Sequence, residues 1–309
     1  MIKNYSIKRK NILGHSDIAP LRKKDPGENF PWYFLYKKKI GTWHKYVRNK
    51  KNQFKILRSE TLEKKRMELF LNYRDIVQKE HIKLIRERLI KRGRRIPLQH
   101  ILGKVSFAGV SLRCDPRALI PRQETELLVD QSIKVLGKNF SGRILDMGTG
   151  SGAIILSLCS TFKEAKGVGI DSSKEAVDLA VLNGKLNNCE DRVTFHNIDW
   201  YKNFHSIGTF DFLVSNPPYL SLQEWENTSP EVKHHDPRCA LVSEEEGMAE
   251  IMHIIKVSKN LLHIGGYLAL EIGMGQAEKT LRALEGNFKD IVSFCDLNGV
   301  RRFVWGRFG

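Results

Sequence analysis

The sequence lacks a long hydrophobic run. A membrane-spanning helix requires roughly 20 consecutive apolar residues, and no stretch of this 309-residue chain approaches that length. Hydrophobic residues make up 41% of the chain, an ordinary value for a globular protein. We therefore expect a soluble protein with no membrane partner, long enough for one large domain and a smaller one.

Paired cysteines are also lacking. The five cysteines are dispersed and form no C-x-x-C pair, which argues against a zinc knuckle and against a disulfide framework. We therefore expect no metal site and a reducing compartment. The cytoplasm is the expected location, and the mitochondrion is the alternative if the basic residues 1–13 act as a targeting sequence.

Acidic residues are scarce in the first third of the chain. Residues 1–100 contain 28 lysines and arginines against 9 acidic residues, whereas residues 101–309 contain 23 against 26. Basic clusters lie at residues 37–39, 64–66 and 91–95. These clusters could contact RNA or an acidic protein surface, or they could form a lysine-rich solvated face. The rest of the chain is near neutral.

The spacing of apolar residues changes along the chain. Between Glu60 and Arg92 they recur mostly at steps of three and four, which predicts amphipathic helices that end at Gly93. After residue 101 a hairpin over Val105–Arg113 is predicted, and strand-like and helix-like segments then alternate. This alternation predicts an α/β fold with a mainly parallel, doubly wound sheet. Such sheets bind ligands at the carboxyl ends of their strands, where the strand order switches.

Seven strands and five helices are predicted in this second part. The strands are Arg143–Met147, Lys166–Ile170, Arg192–His196, Phe210–Val214, Tyr267–Ile272, Ile291–Cys295 and Arg302–Val304. The helices are Glu124–Lys134, Ala153–Thr161, Lys174–Leu186, Gly247–Leu262 and Gln276–Leu284.

A glycine-rich loop follows the first of these strands. Its glycines, Gly148, Gly150 and Gly152, allow the backbone to approach a ligand closely, and the helix that follows offers free N–H groups. The spacing differs from the G-x-G-x-x-G dinucleotide fingerprint, which weakens an NAD interpretation.

Polar and aromatic residues follow the next two strands. Asp171 ends the second strand, where a carboxylate can accept hydrogen bonds from both ribose hydroxyls of a nucleotide-like ligand. Asp199 and Trp200 follow the third strand and could supply an acceptor for an adenine amine and a flat stacking face. Trp200 could equally be an ordinary packed aromatic residue.

The tetrapeptide Asn216-Pro217-Pro218-Tyr219 follows the fourth strand. A carboxamide or exocyclic amine nitrogen has a delocalised lone pair, yet methyl transfer from a sulfonium needs that lone pair in line with the methyl carbon. The Asn216 side-chain carbonyl and the Pro217 backbone carbonyl could accept the two N–H bonds, and Tyr219 could pack on the planar group. Because the prolines fix φ, the acceptors are pre-positioned and no strong general base is required. With the glycine loop, this pattern indicates S-adenosylmethionine-dependent N-methylation; a proline-stiffened loop is the alternative.

Several further segments accompany these motifs: Ile96 to Gly103, Leu119 to Glu126, Asp236 to Leu241, Leu270 to Gly273 with Gln276, and Asp296 to Gly299 followed by Arg301 and Arg302. On this combination, residues from about 66 to 309 resemble the release-factor glutamine methyltransferase family. That family N5-methylates the glutamine of the Gly-Gly-Gln tripeptide in class I peptide chain release factors, which supports translation termination.

The resemblance implies a Rossmann-like, class I S-adenosylmethionine-dependent methyltransferase fold with a seven-stranded, mostly parallel sheet and a small helical domain. It implies catalytic roles for Asn216, Pro217 and Tyr219, and contacts of Asn216 to Tyr219, including Pro218, with the substrate glutamine. The implied donor contacts are Gly148, Thr149, Gly150, Ser151, Gly152, Asp171, Trp200 and Asn216.

Two glutamates of the P-R-x-E-T-E segment are expected to shape the same site. Glu124 and Glu126 could alternatively be helix-start residues that complement the helix dipole. Gln123 stands where the family often has proline.

The first residues depart from that family. The segment Gly14 to Pro20, with Lys23, Asp25 and Phe30 to Trp32, resembles the carboxyl-terminal end of zinc-dependent N-acetylmuramoyl-L-alanine amidases. In that family the positions matching His15 and Asp25 are zinc ligands, and Lys23 matches a catalytic-site lysine. A catalytic zinc site generally has three protein ligands, and this chain lacks the third ligand and the amidase sheet. A non-functional remnant is therefore expected.

Three regions follow from these observations. Residues 1–58 are predicted to be the amidase-like remnant, residues 59–100 a truncated helical substrate-binding module, and residues 101–309 the methyltransferase domain with its amino-terminal hairpin.

Two other functions fit part of the pattern. The tetrapeptide suits any planar –NH2 group, so an N-methyltransferase acting on adenine or cytosine in nucleic acid is one alternative. Such enzymes flip a base from its stack and usually carry a recognition domain, which is not visible in the sequence. The other alternative is a module that binds the donor without turnover because its helical domain is truncated.

Overall fold

The computed structural model describes residues 56–63, 78–202 and 207–309. The chain divides into two compact units, Met1–Ile90 and Lys91–Gly309. The amidase-like segment lies almost wholly outside the described residues, and so do residues 64–77 of the predicted helical module. The predicted domain boundaries therefore remain predictions.

Two helical segments lie where amphipathic helices are predicted, and the second of them runs across the boundary at Ile90. Residues 56–62 are helical, and helix α1, Lys79–Gly93, ends at the glycine that the sequence indicates as its stop. Arg88 Nη1 donates to Thr61 Oγ1 at 2.7 Å, and Thr61 Oγ1 donates to the Leu57 carbonyl oxygen at 2.6 Å. These contacts join the two helical segments within the unit.

A short helix and a hairpin follow α1. Helix α2, Leu98–Leu102, precedes strands β1, Lys104–Phe107, and β2, Val110–Arg113. The two strands pair antiparallel, with Phe107 opposite Val110. This pairing confirms the predicted hairpin.

Helices and strands then alternate through the rest of the second unit. The helices of five or more residues are α3, Gln123–Leu136; α4, Ala153–Thr161; α5, Lys174–Leu186; α6, Leu222–Glu226; α7, Pro230–His235; α8, Ala249–Leu261; and α9, Ala277–Leu284. The strands are β3, Arg143–Met147; β4, Lys166–Asp171; β5, Val193–Asn197; β6, Phe210–Ser215; β7, Leu262–Glu271; β8, Phe288–Cys295; and β9, Arg301–Phe308.

Strands β3 to β9 form one seven-stranded sheet in the order β5-β4-β3-β6-β7-β9-β8. The first five of these strands run parallel, and β9 pairs antiparallel with both β7 and β8. The sheet is therefore mostly parallel and doubly wound, which confirms the predicted Rossmann-like α/β methyltransferase fold.

Two apolar cores lie on the two faces of the sheet. One core contains side chains of the hairpin, α3 and α4, and the other contains side chains of α8 and α9. Strands β3 and β6 lie at the centre of the sheet, and Ile144, Leu145, Phe212 and Leu213 are fully buried. Burial on both faces explains why these strands read as continuous apolar runs rather than as alternating ones.

The strand order reverses between β3 and β6, because the chain continues from β3 to β4 on one side and returns to β6 on the other. Ligands of doubly wound sheets bind at such a switch point. The glycine-rich loop follows β3 and the Asn216 tetrapeptide follows β6, so both motifs emerge at the same edge of the sheet.

Candidate active site

A cavity of about 950 Å³ opens at the carboxyl ends of the parallel strands. Backbone and side chains from the loops after β3, β4, β5 and β6 surround it. Six residues predicted to contact the donor or the substrate line it, and they are Gly148, Gly150, Asp171, Trp200, Asn216 and Pro218. The fold thus brings together motifs that are separated by up to seventy residues in the sequence.

The glycine-rich loop has a backbone that only glycine adopts easily. Gly148, Gly150 and Gly152 have φ values of 73°, 54° and 81°, which other residues rarely adopt. A Cβ at Gly148 would lie 3.3 Å from the Trp200 ring, so the loop and this ring are packed closely. This geometry leaves backbone rather than side chains facing the cavity.

Three residues of the loop lie beside the cavity rather than along its wall. Thr149 Oγ1 donates to the buried Asp146 carboxylate at 2.8 Å, and the Ser151 carbonyl accepts from Asn183 Nδ2 at 2.9 Å. Gly152 is the cap residue of α4. The side-chain contacts of this part of the loop hold its shape, and its contacts with the donor remain a prediction.

Asp171 ends β4 as predicted, and its carboxylate organises the glycine loop. One oxygen accepts from the Gly150 amide at 2.9 Å and the other accepts from the Ser173 amide at 2.9 Å. Burial raises the pKa of Asp171, and the two amides partly oppose that shift. Each carboxylate oxygen keeps a second lone pair, so the group can still accept a hydroxyl hydrogen from a ligand in the cavity.

Trp200 forms one wall of the cavity and is held from behind. Its indole Nε1 donates to Glu250 Oε2 at 2.8 Å, and its carbonyl oxygen lies 2.9 Å from His253 Nε2. Both partners belong to α8 and also line the cavity. A flat ring held in this way suits stacking against a planar ligand group.

Asn216 follows β6 and belongs to a chain of hydrogen bonds at the rim of the cavity. Its Nδ2 donates to Thr125 Oγ1 at 3.0 Å, and Thr125 Oγ1 donates to Glu271 Oε2 at 2.7 Å. Tyr219 Oη donates to the other oxygen of Glu271 at 3.2 Å. The tetrapeptide is thus connected to α3 and to the end of β7.

The sequence patterns do not predict Thr125 or Glu271 as residues of the site. Both belong to segments that carry the family resemblance, Leu119 to Glu126 and Leu270 to Gly273, but neither side chain forms a local pattern with Asn216. A usable signal was Glu271 itself, since it is a carboxylate at the end of a buried strand. Glu271 is 1% exposed, and burial raises its pKa to about 7 while hydrogen bonds from Thr125 and Tyr219 oppose the shift.

Glu124 and Glu126, the neighbours of Thr125, lie outside the cavity and differ from Thr125 in exposure. Glu124 is exposed and Glu126 is half-buried, on either side of the buried Thr125. Neither glutamate lines the cavity. Their predicted influence on the site remains a prediction, and both lie in the first turn of α3, as the helix-start alternative requires.

The backbone of Tyr219 is clasped by two further loops. Gln276 Nε2 donates to the Tyr219 carbonyl oxygen at 2.9 Å, and Gln276 Oε1 accepts from the Gly273 amide at 2.7 Å. Gly247 packs against the same carbonyl group so closely that a Cβ would overlap it. The segment after the tetrapeptide is therefore fixed to the loops that precede α8 and α9.

An ion pair joins two of the segments noted in the sequence. Arg122 Nη2 donates to Asp236 Oδ2 at 2.5 Å, and the Asp236 side chain is 1% exposed. Burial raises the pKa of Asp236, and the Arg122 charge opposes that shift. This pair connects the start of α3 to the loop after α7.

The described parts of the chain contain neither a metal-binding cluster nor a membrane-spanning helix. Among residues 56–63, 78–202 and 207–309, no group of three or more His, Cys, Asp and Glu side chains could hold a metal ion. Within the same ranges, no helix is long and apolar enough to cross a membrane.

Comparison of the sequence with known proteins shows which family the chain belongs to. Residues 123–232 match the model of the Methyltransferase small domain, and residues 44–103 match that of the PrmC N-terminal domain. A release factor glutamine methyltransferase of Geobacter sulfurreducens is 33% identical over 86% of this chain and 92% of that protein. The chain belongs to the release factor glutamine methyltransferase family.

Other members of the release factor glutamine methyltransferase family match over similar lengths. The one from Bacillus cereus is 33% identical over 82% of this chain and 91% of that protein. The one from Fusobacterium nucleatum is 36% identical over 74% of this chain, and the match spans 65% of that relative. The PrmC N-terminal domain match begins inside residues 1–58, the segment predicted as an amidase-like remnant, and covers the predicted helical module.

The fold extends beyond this family. The catalytic domain of hMettl16, solved in complex with the MAT2A 3′UTR hairpin 6, aligns with a TM-score of 0.52 and 19% identity over 65% of this chain and 76% of that chain. At this identity the likeness concerns the fold alone.

Proposed function

We propose that this chain transfers a methyl group from S-adenosylmethionine to the side-chain amide nitrogen of the glutamine in the Gly-Gly-Gln motif of class I peptide chain release factors. The observation that supports this most directly is the fixed side-chain amide of Asn216. Its nitrogen is committed to Thr125, which leaves its carbonyl oxygen as an acceptor at the rim of the cavity. Membership of the family supports the choice of substrate.

The donor is assigned to the cavity between the glycine loop and α8. Backbone groups of Gly148 to Gly152 would approach the donor, the Asp171 carboxylate would accept from its ribose hydroxyls, and Trp200 would face its adenine. The S-adenosylmethionine sulfonium supplies an electrophilic methyl group. The cavity suits such a ligand because backbone, a half-buried carboxylate and an anchored aromatic ring line it.

The substrate amide is assigned to the tetrapeptide. Asn216 Oδ1 and the Pro217 carbonyl oxygen would accept its two N–H groups, and Pro218 and Tyr219 would bound the planar group. Two acceptors increase the electron density on the nitrogen and hold it still, so positioning and electrostatic stabilisation carry most of the rate. When the nitrogen takes the methyl group from sulfur, S-adenosylhomocysteine is released and the nitrogen, now strongly acidic, loses one proton to solvent. The side chains around the nitrogen therefore act without a strong general base.

The class I release factor is the proposed partner, and translation termination the process supported. The first hundred positions are rich in basic residues that nucleic acid could contact, although the proposed chemistry does not require such contact. We place the enzyme in the cytoplasm, with the mitochondrion as the alternative, and assign no metal to the reaction.

One labelling experiment tests the proposal. The protein is incubated with donor carrying a tritiated methyl group and with release factor, DNA or rRNA in separate reactions, and the label is then mapped. We expect label on the glutamine of the Gly-Gly-Gln motif. A release factor in which alanine replaces that glutamine is the control and should remain unlabelled.

Two other results of the labelling experiment would each favour a different function. Label on nucleic acid alone would contradict the proposal and favour a nucleobase N-methyltransferase. Donor binding without label on any acceptor would favour an idle binding module.

A further inference from the structure

Glu271 is a buried carboxyl group that the proposed transfer does not itself use. It is the last residue of β7, and β7 pairs with β6, the strand that leads into Asn216. It does not line the cavity and is 1% exposed. A charge in such a place is unfavourable unless hydrogen bonds satisfy it. The direction of those hydrogen bonds is therefore informative.

An ionised carboxylate can only accept hydrogen bonds. The Thr125 hydroxyl has a single hydrogen and lies 2.7 Å from Glu271 Oε2, so that hydrogen is committed to the carboxylate. Towards Asn216, Thr125 Oγ1 can then only accept. The Asn216 atom 3.0 Å away must be the nitrogen, and the carbonyl oxygen must face the other way.

An isolated amide could be turned by 180° with little change in shape. The carboxylate removes that freedom through Thr125. The substrate –NH2 group needs an acceptor, so only one of the two amide orientations supports transfer.

We infer that Glu271 and Thr125 are positioning residues, which hold the Asn216 side chain with its carbonyl oxygen towards the substrate nitrogen. The identity of the substrate rests on the proposed function, whereas the orientation of the amide does not. Tyr219 Oη also donates to Glu271, at 3.2 Å, so the same carboxylate anchors the aromatic ring of the tetrapeptide.

Protonation of Glu271 would release this control. A neutral carboxyl group can donate to Thr125, and Thr125 can then donate to Asn216 Oδ1, which turns the acceptor away from the substrate. The charged and titratable groups that face Glu271 are Arg302 from β9, Glu124 from α3 and Tyr219. Since burial raises the pKa of Glu271 to about 7, the ionised, active form is lost as the pH falls through that value.

Steady-state kinetics with the full chain and release factor test whether Thr125 and Glu271 affect kcat. Thr125→Val should lower kcat at least 10-fold with little change in donor Kd, and Thr125→Ser should restore most of it because the hydroxyl returns. In Glu271→Gln the acidic limb of the kcat profile near pH 7 should disappear. Ser132→Ala is the matched control, because it removes a buried hydroxyl of α3 that donates to the Leu128 carbonyl.

A purely structural role predicts a different pattern. If Thr125→Val keeps the kcat of the unmodified protein, or if its loss of kcat only parallels a loss of Tm and donor affinity, the inference is overturned. Persistence of the acidic limb in Glu271→Gln would also overturn it.

A second measurement does not need a substrate. The side-chain ¹⁵N–H2 signal of Asn216, assigned by its loss in Asn216→Ala, should exchange slowly with solvent and shift with pH around 7. The shift should vanish in Glu271→Gln. A freely exchanging, pH-insensitive signal would refute the inference. Absence of label on the release factor would instead refute the proposed function and leave this measurement decisive.

Discussion

At the scale of single residues, the site depends on polar atoms whose direction is fixed by their neighbours. Asn216 presents one end of its amide to Thr125, and Asp171 presents each carboxylate oxygen to a backbone amide. Neither contact is strong by itself, since a hydrogen bond contributes about 0.5–1.5 kcal/mol net, or about 1.5–3 kcal/mol when one partner is charged. Their value to the proposed transfer is that they fix the direction of polar atoms.

Asn216→Ala tests the central acceptor. We expect methyl transfer to fall by about 100-fold or more, because removal of one pre-positioned acceptor costs roughly 10²–10³ in kcat. Donor binding, measured by calorimetry, should largely persist, because most of the cavity wall comes from other loops. Transfer near the level of the unmodified protein would contradict the role assigned to Asn216.

Gly148→Ala tests the close approach in the glycine loop. A Cβ there would lie 3.3 Å from the Trp200 ring, on a backbone with φ of 73°. We expect donor affinity to fall about 10-fold or more, from a strain of about 1–3 kcal/mol in the loop. Gly109→Ala is the control, because Gly109 has a similar φ of 87° in the hairpin but nothing within 4 Å of the added carbon. Equal donor Kd values for the two variants would show that the Trp200 contact is unimportant.

At the scale of elements, the long buried strands and amphipathic helices were predictable. The bounds predicted for β3, α4 and α5 coincide with the structure, because each has an apolar pattern bounded by glycine, serine or charged residues. Helices α2, α6 and α7 were missed. They have five or six residues each, too few for a period of 3.6 to become visible.

The loops between these elements were harder to predict, because their order comes from distant partners. The segment after the tetrapeptide is held by Gln276 and Gly247, which lie about sixty and about thirty residues further along the chain. Glu245 and Glu246 have φ values of 51° and 55°, which are unusual for residues with side chains. Such contacts have no local signature in the sequence.

Gly247→Ala tests how much the contact between Gly247 and the Tyr219 carbonyl group contributes to stability. Gly247 has φ of 84°, and a Cβ would overlap the Tyr219 carbonyl group. We expect the loop before α8 to move and Tm to fall by about 3–10 °C, since backbone strain of this kind costs about 1–3 kcal/mol before any overlap is relieved. Gly275→Ala has a similar φ of 83° with open space around it, so it separates strain from overlap. An identical Tm for both variants would exclude a role for the overlap.

At the scale of the whole molecule, the sequence predicted a doubly wound sheet and a site at its switch point. The sheet is confirmed, because alternation of strands and helices leaves few topologies once crossovers are right-handed. The position of the site stays a prediction, and the cavity at the switch point supports it. The sequence could not predict the network of Thr125 and Glu271. These residues lie 146 positions apart and meet only when α3 packs beside the end of β7.

Buried carboxyl groups should also set the pH dependence of stability. Burial raises the pKa of both Asp146 and Glu271 to about 7, above the values of 3.8 and 4.5 expected for the unfolded chain. The folded protein therefore binds protons that the unfolded chain releases, and this stability is lost as the pH rises through about 7. We expect the free energy of unfolding to fall from about pH 4.5 and to level off above about pH 7.5, by up to about 1.4 kcal/mol per pH unit for each group.

Denaturant unfolding across that pH range measures the effect. Glu271→Gln should reduce the slope and leave the contribution of Asp146, so the variant should be more stable than the unmodified protein at pH 8. His100 acts in the opposite direction at lower pH, since burial lowers its pKa, and its protonation in the unfolded chain limits stability below about pH 6.5. A free energy of unfolding that rises from pH 6.5 to 8 would contradict this prediction.

The fixed amide of Asn216 also makes binding depend on how many N–H groups the bound side chain can donate. With Asn216 Oδ1 and the Pro217 carbonyl as partners, an unmodified glutamine amide satisfies both acceptors with its two N–H groups. A monomethylated amide has one N–H left, so one acceptor loses its partner as soon as the product forms. A carboxylate, which offers no hydrogen at all, would face two acceptors. We therefore expect one methyl group per glutamine, and a site that rejects both its own product and a deamidated substrate for the same reason.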